Sequence, residues 1–115
     1  MAESEVKKRL VKSAHTATYT DPLIVSENEI VEVGRRDSEY QGWLWCTAKS
    51  GKSGWVPEKY LEWKGDKGIM SRDYDATELT VDVGECVTVL FEESGWVWCL
   101  ASDGRAGWLP IDRLS

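Results

Sequence analysis

The chain has 115 residues, with 20 Asp or Glu against 14 Lys or Arg, a formal net charge of −6 and a pI near 4.8. That balance disfavours nucleic acid and anionic membrane surfaces as partners, since both need a basic footprint, and it leaves basic peptides open. No apolar run approaches membrane-spanning length, and the polar start from Met1 to Lys8 is unlike a signal peptide, so a cytoplasmic protein is expected.

In chain order, residues 1–8 read as a flexible, charged leader and Arg9 to Ala14 as a first strand. His15 to Asn28 is a polar excursion with Asp21-Pro22 as a turn signal. Glu29-Ile30-Val31-Glu32-Val33 alternates as a strand should, with Val31 and Val33 inward. After a charged loop over 34–41, Gly42 to Pro57 predicts a β-hairpin: two aromatic-rich runs flank the short polar turn Lys49-Ser50-Gly51-Lys52-Ser53. Trp43 and Trp45 share one face of the outgoing strand, and Leu44 and Cys46 share the other. Pro57 cannot donate to a ladder and should end the return strand. A helical turn is expected at 58–60, and a linker at 63–68, with Gly65 and Gly68.

The string from Gly42 to Leu61 then returns at Gly95 to Leu114, with ten of the twenty positions identical and six of the chain's seven tryptophans inside the two copies. Such a repeat argues for two units of about 50–55 residues, near the lower limit for a self-standing core. The boundaries that follow are 9–62 and 69–115. The second copy has trimmed loops: Tyr74 to Leu79 is five steps against eight from His15 to Leu23, and Val89 to Trp96 is seven against ten from Val33 to Trp43. With only Ser115 beyond Leu114, its last strand should be short. Turn geometry places Trp45 opposite Trp55 and Trp98 opposite Trp108, pairs worth roughly 0.5–1.5 kcal/mol beyond area burial. Simple stabilisation explains at least one pair. The sharper expectation buries the other with Trp63 where the copies meet. Cys46, Cys86 and Cys99 form no CxxC pair and read best as small buried thiols of a reducing compartment.

Together these strings resemble the SH3 domain over nearly the whole chain: a Gly-Trp opening one strand, Gly-Trp-Val-Pro closing the next, and Tyr60 three residues after Pro57. Met70-Ser71-Arg72-Asp73-Tyr74-Asp75-Ala76 and Leu79-Thr80-Val81-Asp82-Val83-Gly84-Glu85 resemble the family's first strand and the end of its RT loop. Val11 to His15 and Leu23 to Glu29 match those segments in length. The resemblance implies an all-β fold of two tandem SH3-like five-stranded barrels. It also implies a groove of aromatic rings in each that grips an extended, proline-containing peptide with little ordering entropy to lose. By that resemblance the first groove carries Trp43, Pro57 and Tyr60, with Ser13 and His15 where the family has tyrosines, and Asp21 next to Pro22 at the acidic position. The second carries Tyr74, Trp96 and Pro110, with Glu78 as its acid and Arg72 and Arg113 in place of tyrosines. Apart from the resemblance, His15 reads first as a hydrogen-bonded loop residue.

Catalysis is poorly supported. There is one histidine, and the nucleophile, phosphate-loop and metal-ligand spacings are missing, so no cofactor, metal or enzymatic role is expected. The expected function is protein–protein recognition, as an adaptor or scaffold. The alternative is a structural or assembly domain whose degenerate grooves bind nothing and whose Trp faces mediate packing or self-association. A reader of methylated lysine through an aromatic cage and a hydrolase are more distant.

Overall fold

A computed structural model describes residues 7–115, so the first six positions of the expected leader lie outside the described residues. The strands, in chain order, are β1 (Lys7–Leu10), β2 (Ile24–Val25), β3 (Ile30–Arg36), β4 (Trp43–Thr47), β5 (Ser53–Pro57), β6 (Leu61–Lys64), β7 (Lys67–Met70), β8 (Tyr74–Asp75), β9 (Cys86–Glu93), β10 (Trp96–Ala101) and β11 (Ala106–Pro110). One-turn 3-10 helices follow the two prolines, at Glu58–Tyr60 and Ile111–Arg113. The all-β, SH3-like class holds. The sheets are not closed barrels, however: their hydrogen-bonded orders are β5-β4-β3-β7-β6, β1-β9-β10-β11 and β2-β8.

Those orders divide the chain at points other than the repeat boundaries. One compact unit is the unbroken stretch Tyr19–Thr77; the other combines the segment up to Thr18 with Glu78–Ser115. We call them the continuous unit and the split unit. In the continuous unit β7 lies between β3 and β6, although β7 belongs to the second repeat. In the split unit β1, from the first repeat, pairs along β9 from the second. Each repeat has therefore given its first strand to the other's unit, and both crossings, after Thr18 and after Thr77, fall in the excursion that follows that strand. The continuous unit is a circularly permuted version of the split one, and it occupies the chain between Thr18 and Glu78. Residues 63–68 are accordingly no linker. They close the β6–β7 hairpin, in which Lys64 faces Lys67 across Gly65-Asp66 and Gly65 takes the positive φ (63°) that such a two-residue turn requires.

The cores correspond residue for residue. In the split unit Val11, Leu79, Val81, Val87, Val97, Cys99, Ala101, Leu109 and Leu114 form one buried cluster, with Val89 packed against it. The matching positions of the continuous unit, Met70, Leu23, Val25, Val31, Leu44, Cys46, Ala48, Val56, Leu61 and Val33, are likewise buried. Val11 and Met70 hold the same place and bridge Leu114 and Leu61 respectively. The turns also match. Asn28 (φ 72°) and Gly84 (φ 93°) precede Glu29 and Glu85, whose carboxylates accept the backbone N–H of Ser26 at 3.0 Å and of Asp82 at 2.8 Å. The trimmed loop of the second repeat is a two-residue turn at Ser94-Gly95, both at positive φ.

Burial drives the Cys46 thiol up to about 12 and that of Cys99 up to about 11, whereas Cys86 is exposed on β9 rather than buried as expected. The tryptophan pairs form as the register requires. Trp45 and Trp55 lie 5.0 Å apart, and Trp98 and Trp108 5.4 Å apart, each edge to face. Trp63 is 38% exposed beneath the Arg36 guanidinium, so it is not the buried contact anticipated for it.

Candidate peptide-binding sites

The strand exchange changes which groove residues meet. In the continuous unit Trp43 stands opposite Pro57 on the β4–β5 hairpin, and the 3-10 turn after Pro57 carries Tyr60. Their companions are Arg72 and Tyr74, delivered by β7 and β8, rather than Ser13 and His15. The Tyr60 and Tyr74 rings lie 5.6 Å apart at 70°, and Arg72 Cζ sits 4.3 Å from the centre of the Tyr60 ring. Tyr74 Oη donates to the carbonyl of Trp55 at 2.7 Å, which fixes the ring against the hairpin. Asp21 takes no part in this cluster. Its carboxylate is 3.1 Å from Lys52 Nζ in the turn between β4 and β5, with both groups largely exposed.

In the split unit Trp96 stands opposite Pro110, joined by His15 and Glu78. His15 bridges Val81 through its backbone, and its Nε2 donates to Glu78 Oε1 at 2.9 Å; the ring then meets Trp96 edge on at 5.7 Å. The same Glu78 oxygen accepts the Thr18 N–H at 3.5 Å, so the two segments of this unit meet at the site. Tyr74, assigned by resemblance to this groove, belongs to the other. Arg113 occupies the place of Tyr60. Its Nη1 lies 3.5 Å from Asp112, and its Nε is buried without a hydrogen-bond partner.

Burial separates the two sites. Trp43 is 4% exposed and Tyr60 and Tyr74 are each 6% exposed, with Pro57 fully buried. The solvent-facing ring expected at Trp43 is absent, and Arg72 is the exposed member of its set. In the split unit Pro110 and His15 are buried, whereas Trp96 is half-buried and Glu78 partly exposed. The more accessible rings of this hairpin lie nearer its turn, at Trp45 and Trp55. Trp45 touches Tyr19 at 5.1 Å, and Arg35 Cζ lies 5.1 Å from the Trp45 ring and 5.2 Å from that of Trp55. The sequence named Trp45 and Trp55 as a cross-strand pair. It gave no sign of Arg35, because a charged loop residue carries no periodicity that aims it at a ring.

Two SH3-like units built from one duplicated sequence, with exchanged first strands, define the class of the protein. The family model for the variant SH3 domain matches twice, at residues 10–63 and 68–115. The chain belongs to that family. Each match contains one sequence repeat, in tandem, so the exchange lies in how the matched segments assemble. No solved structure matches the chain. SH3-type domains are in general non-catalytic modules for protein interaction. Among the described residues no helix is long and apolar enough to cross a membrane.

Proposed function

We propose that this protein is an adaptor or scaffold module that binds an extended, proline-containing peptide, and that the split unit holds the working site. The observation that carries this reading is the state of Trp96. It keeps part of its ring in solvent while its edge is fixed against His15, itself held by Glu78. A pre-set aromatic face beside Pro110 suits a polyproline II ligand, whose pyrrolidine rings pack on such faces. Glu78 is already occupied by His15 and a backbone N–H, so the ligand's proline content, more than a basic anchor, would drive binding. The acidic balance of the chain supports a polypeptide partner over nucleic acid or membrane, in the cytoplasm.

Titration of the 115-residue chain with a pool of Pro-rich peptides, followed by indole NMR signals, tests this. The Trp96 signal is expected to shift while that of Trp43 stays in place, and Trp96→Ala should abolish the response. A shift confined to Trp43, or none at all, counts against the site.

A second reading has its own support. The burial of Trp43, Pro57, Tyr60 and Tyr74 suits an assembly domain whose first groove binds no free peptide. Under that reading light scattering shows a stable dimer, and Trp45→Ala or Trp98→Ala dissociates it. A monomer throughout the micromolar range would dismiss it.

A further inference from the structure

Both hairpins carry a cross-strand tryptophan pair on the face turned away from the core, and what lies on that pair differs between the units. In the continuous unit β3 bulges opposite Trp45. Val33 faces Cys46 and Arg36 faces Leu44, which leaves Gly34 and Arg35 beside the one tryptophan between them. A Cβ at Gly34 would meet the Trp45 carbonyl oxygen at 3.2 Å and Trp45 Cδ1 at 3.6 Å, so the bulge keeps Gly34 against the strand. The Arg35 side chain goes out over the rings, its Cζ 5.1 Å from the centre of Trp45 and 5.2 Å from that of Trp55. Tyr19 adds a third ring, 5.1 Å from Trp45 and 38% exposed. In the split unit the matching bulge brings Phe91 opposite Trp98, and the Phe91 ring meets Trp108 edge on at 5.5 Å. Trp108 is 3% exposed there, whereas Trp45 and Trp55 are both half-buried. A ring alone thus closes this face in one unit, while the other keeps accessible rings under a guanidinium.

That guanidinium has no acid. Arg36 pairs with Glu58, Arg105 with Asp103 and Glu85, and Arg113 with Asp112. Arg35 pairs with none of the described residues, although acids outnumber bases in the chain by 20 to 14. Stacking on two rings fixes its plane and leaves the edge, with its fork of N–H donors, turned to solvent. A stacked arginine is pre-organised, so it loses little entropy for each hydrogen bond it forms, and its fork matches a carboxylate oxygen for oxygen.

We infer that Tyr19, Arg35, Trp45 and Trp55 form a second binding site, which takes a segment of a partner polypeptide carrying one carboxylate beside an aromatic side chain. The carboxylate lies edge on to Arg35 and accepts two parallel N–H bonds, which supplies the counter-charge that Arg35 lacks. Its aromatic neighbour packs on the half-buried rings, where offset and edge-to-face contacts add to the area buried. A single carboxylate suits the site better than a phosphate or a run of acids. The chain's own charge of −6 opposes every further negative charge on the ligand, whereas one ion pair on a stacked guanidinium is made at short range. The site lies wholly within residues 19–77 and shares no residue with Trp96, Pro110 and His15, so it stands or falls apart from the proline site.

The probe is the tripeptide Phe-Glu-Phe, acetylated and amidated at its ends, titrated into the full chain while the indole signals and the Arg35 Nε–H signal are followed by NMR. Trp45, Trp55 and Arg35 should shift and Trp96 should stay in place. Phe-Gln-Phe keeps the rings and removes the charge, and it should bind about tenfold more weakly. Arg35→Lys keeps the charge and loses the fork, with a similar loss expected. Arg35→Phe copies the ring that the split unit has at Phe91, so it should preserve the dispersed spectrum and lose the response. Trp96→Ala, which removes the proline site, should leave the response unchanged. The inference is overturned by an absence of shifts at millimolar peptide, by a response confined to Trp96, or by equal binding of the Glu and Gln peptides. It is also overturned if Arg35→Lys or Arg35→Phe binds as well as the parent chain. Inorganic phosphate that displaces the Glu peptide at lower concentration than acetate does would overturn the choice of a carboxylate.

Discussion

The continuous unit is built from 59 consecutive residues, Tyr19 to Thr77, whereas the split unit needs both ends of the chain to make the same core. Ten positions correspond between the cores, yet the strands that carry them run in a different order along the polypeptide. Sheet energetics therefore depend on which side chains share a face and a register, and connection order is free as long as the connections reach. The crossings occur in the excursion after the first strand, where polar residues and short pairings tolerate a change of path. Where the units do differ, the differences are local: a glycine against an arginine across from the same valine position, a shorter turn before β10, and a half-buried Trp96 against a buried Trp43.

The largest effect should come from cutting the chain. A fragment of residues 19–77 retains β2 to β8 complete and should give a dispersed NMR spectrum and a cooperative urea transition. A fragment of residues 9–62, the first sequence repeat, lacks β7 between β3 and β6 and should show neither. Joining residue 18 directly to 78 should restore a folded split unit, since Thr18 N–H already contacts Glu78. Cooperative folding of 9–62 alone would mean that the exchanged strand is dispensable.

This comparison also marks how far the sequence could be read. Hairpins, tryptophan pairs and inward Cys46 and Cys99 follow from signals within a dozen residues, where alternation and turn chemistry act directly, and the two-fold repeat follows from identities between two separate strings. The exchange of β1 and β7 does not. Val11 and Met70 are both apolar and fit either core, so no local pattern says which copy each will join. One signal was present in Lys64-Gly65-Asp66-Lys67, where Gly-Asp between two short runs is a hairpin turn as well as a plausible linker. The candidate sites inherited that ambiguity: the residue types were legible, but Tyr74 and Arg72 were grouped with Trp96 instead of Trp43. Burial of Trp43 was not legible, because it depends on what tertiary packing lays over the ring.

A smaller effect probes Gly68 against Arg9. Gly68 pairs with Val31 as Arg9 pairs with Val87, and a Cβ at Gly68 would run into Leu61 Cδ1 and come within 3.2 Å of Trp63 Cβ. Gly68→Val should destabilise the continuous unit by about 1–3 kcal/mol through overpacking. Arg9→Val, at the matching exposed position, should stay within about 0.5 kcal/mol. Urea midpoints of the two variants measure the contrast, and equal losses would remove the assigned equivalence.

The tryptophan pairs should differ by less. Double-mutant cycles on Trp45 with Trp55 and on Trp98 with Trp108 should each return a coupling of about 0.5–1.5 kcal/mol. Trp45→Ala alone should cost more than Trp98→Ala by about 0.5–1 kcal/mol, because Arg35 stacks on its ring. Trp45→Ala in an Arg35→Ala background should cancel that excess; if it persists, the cation is a bystander.

The smallest effect concerns the two buried thiols. Desolvation raises Cys46 from an ordinary 9.0 to about 12 and Cys99 to about 11. The unfolded chain thus releases these protons near pH 9, while the folded chain holds them for two or three pH units more. Above pH 9 the unfolded state binds fewer protons, so stability should fall as pH rises from about 9 towards 11–12, with no contribution from these groups below 9. Cys46→Ala should flatten that alkaline slope slightly more than Cys99→Ala does, since its shift is the larger. Iodoacetamide at pH 8 supplies the kinetic counterpart: exposed Cys86 should be alkylated first, with Cys46 and Cys99 reacting only as fast as their units open. Labelling of Cys46 at the rate of Cys86 would mean that the core of the continuous unit opens far more often than its close packing implies.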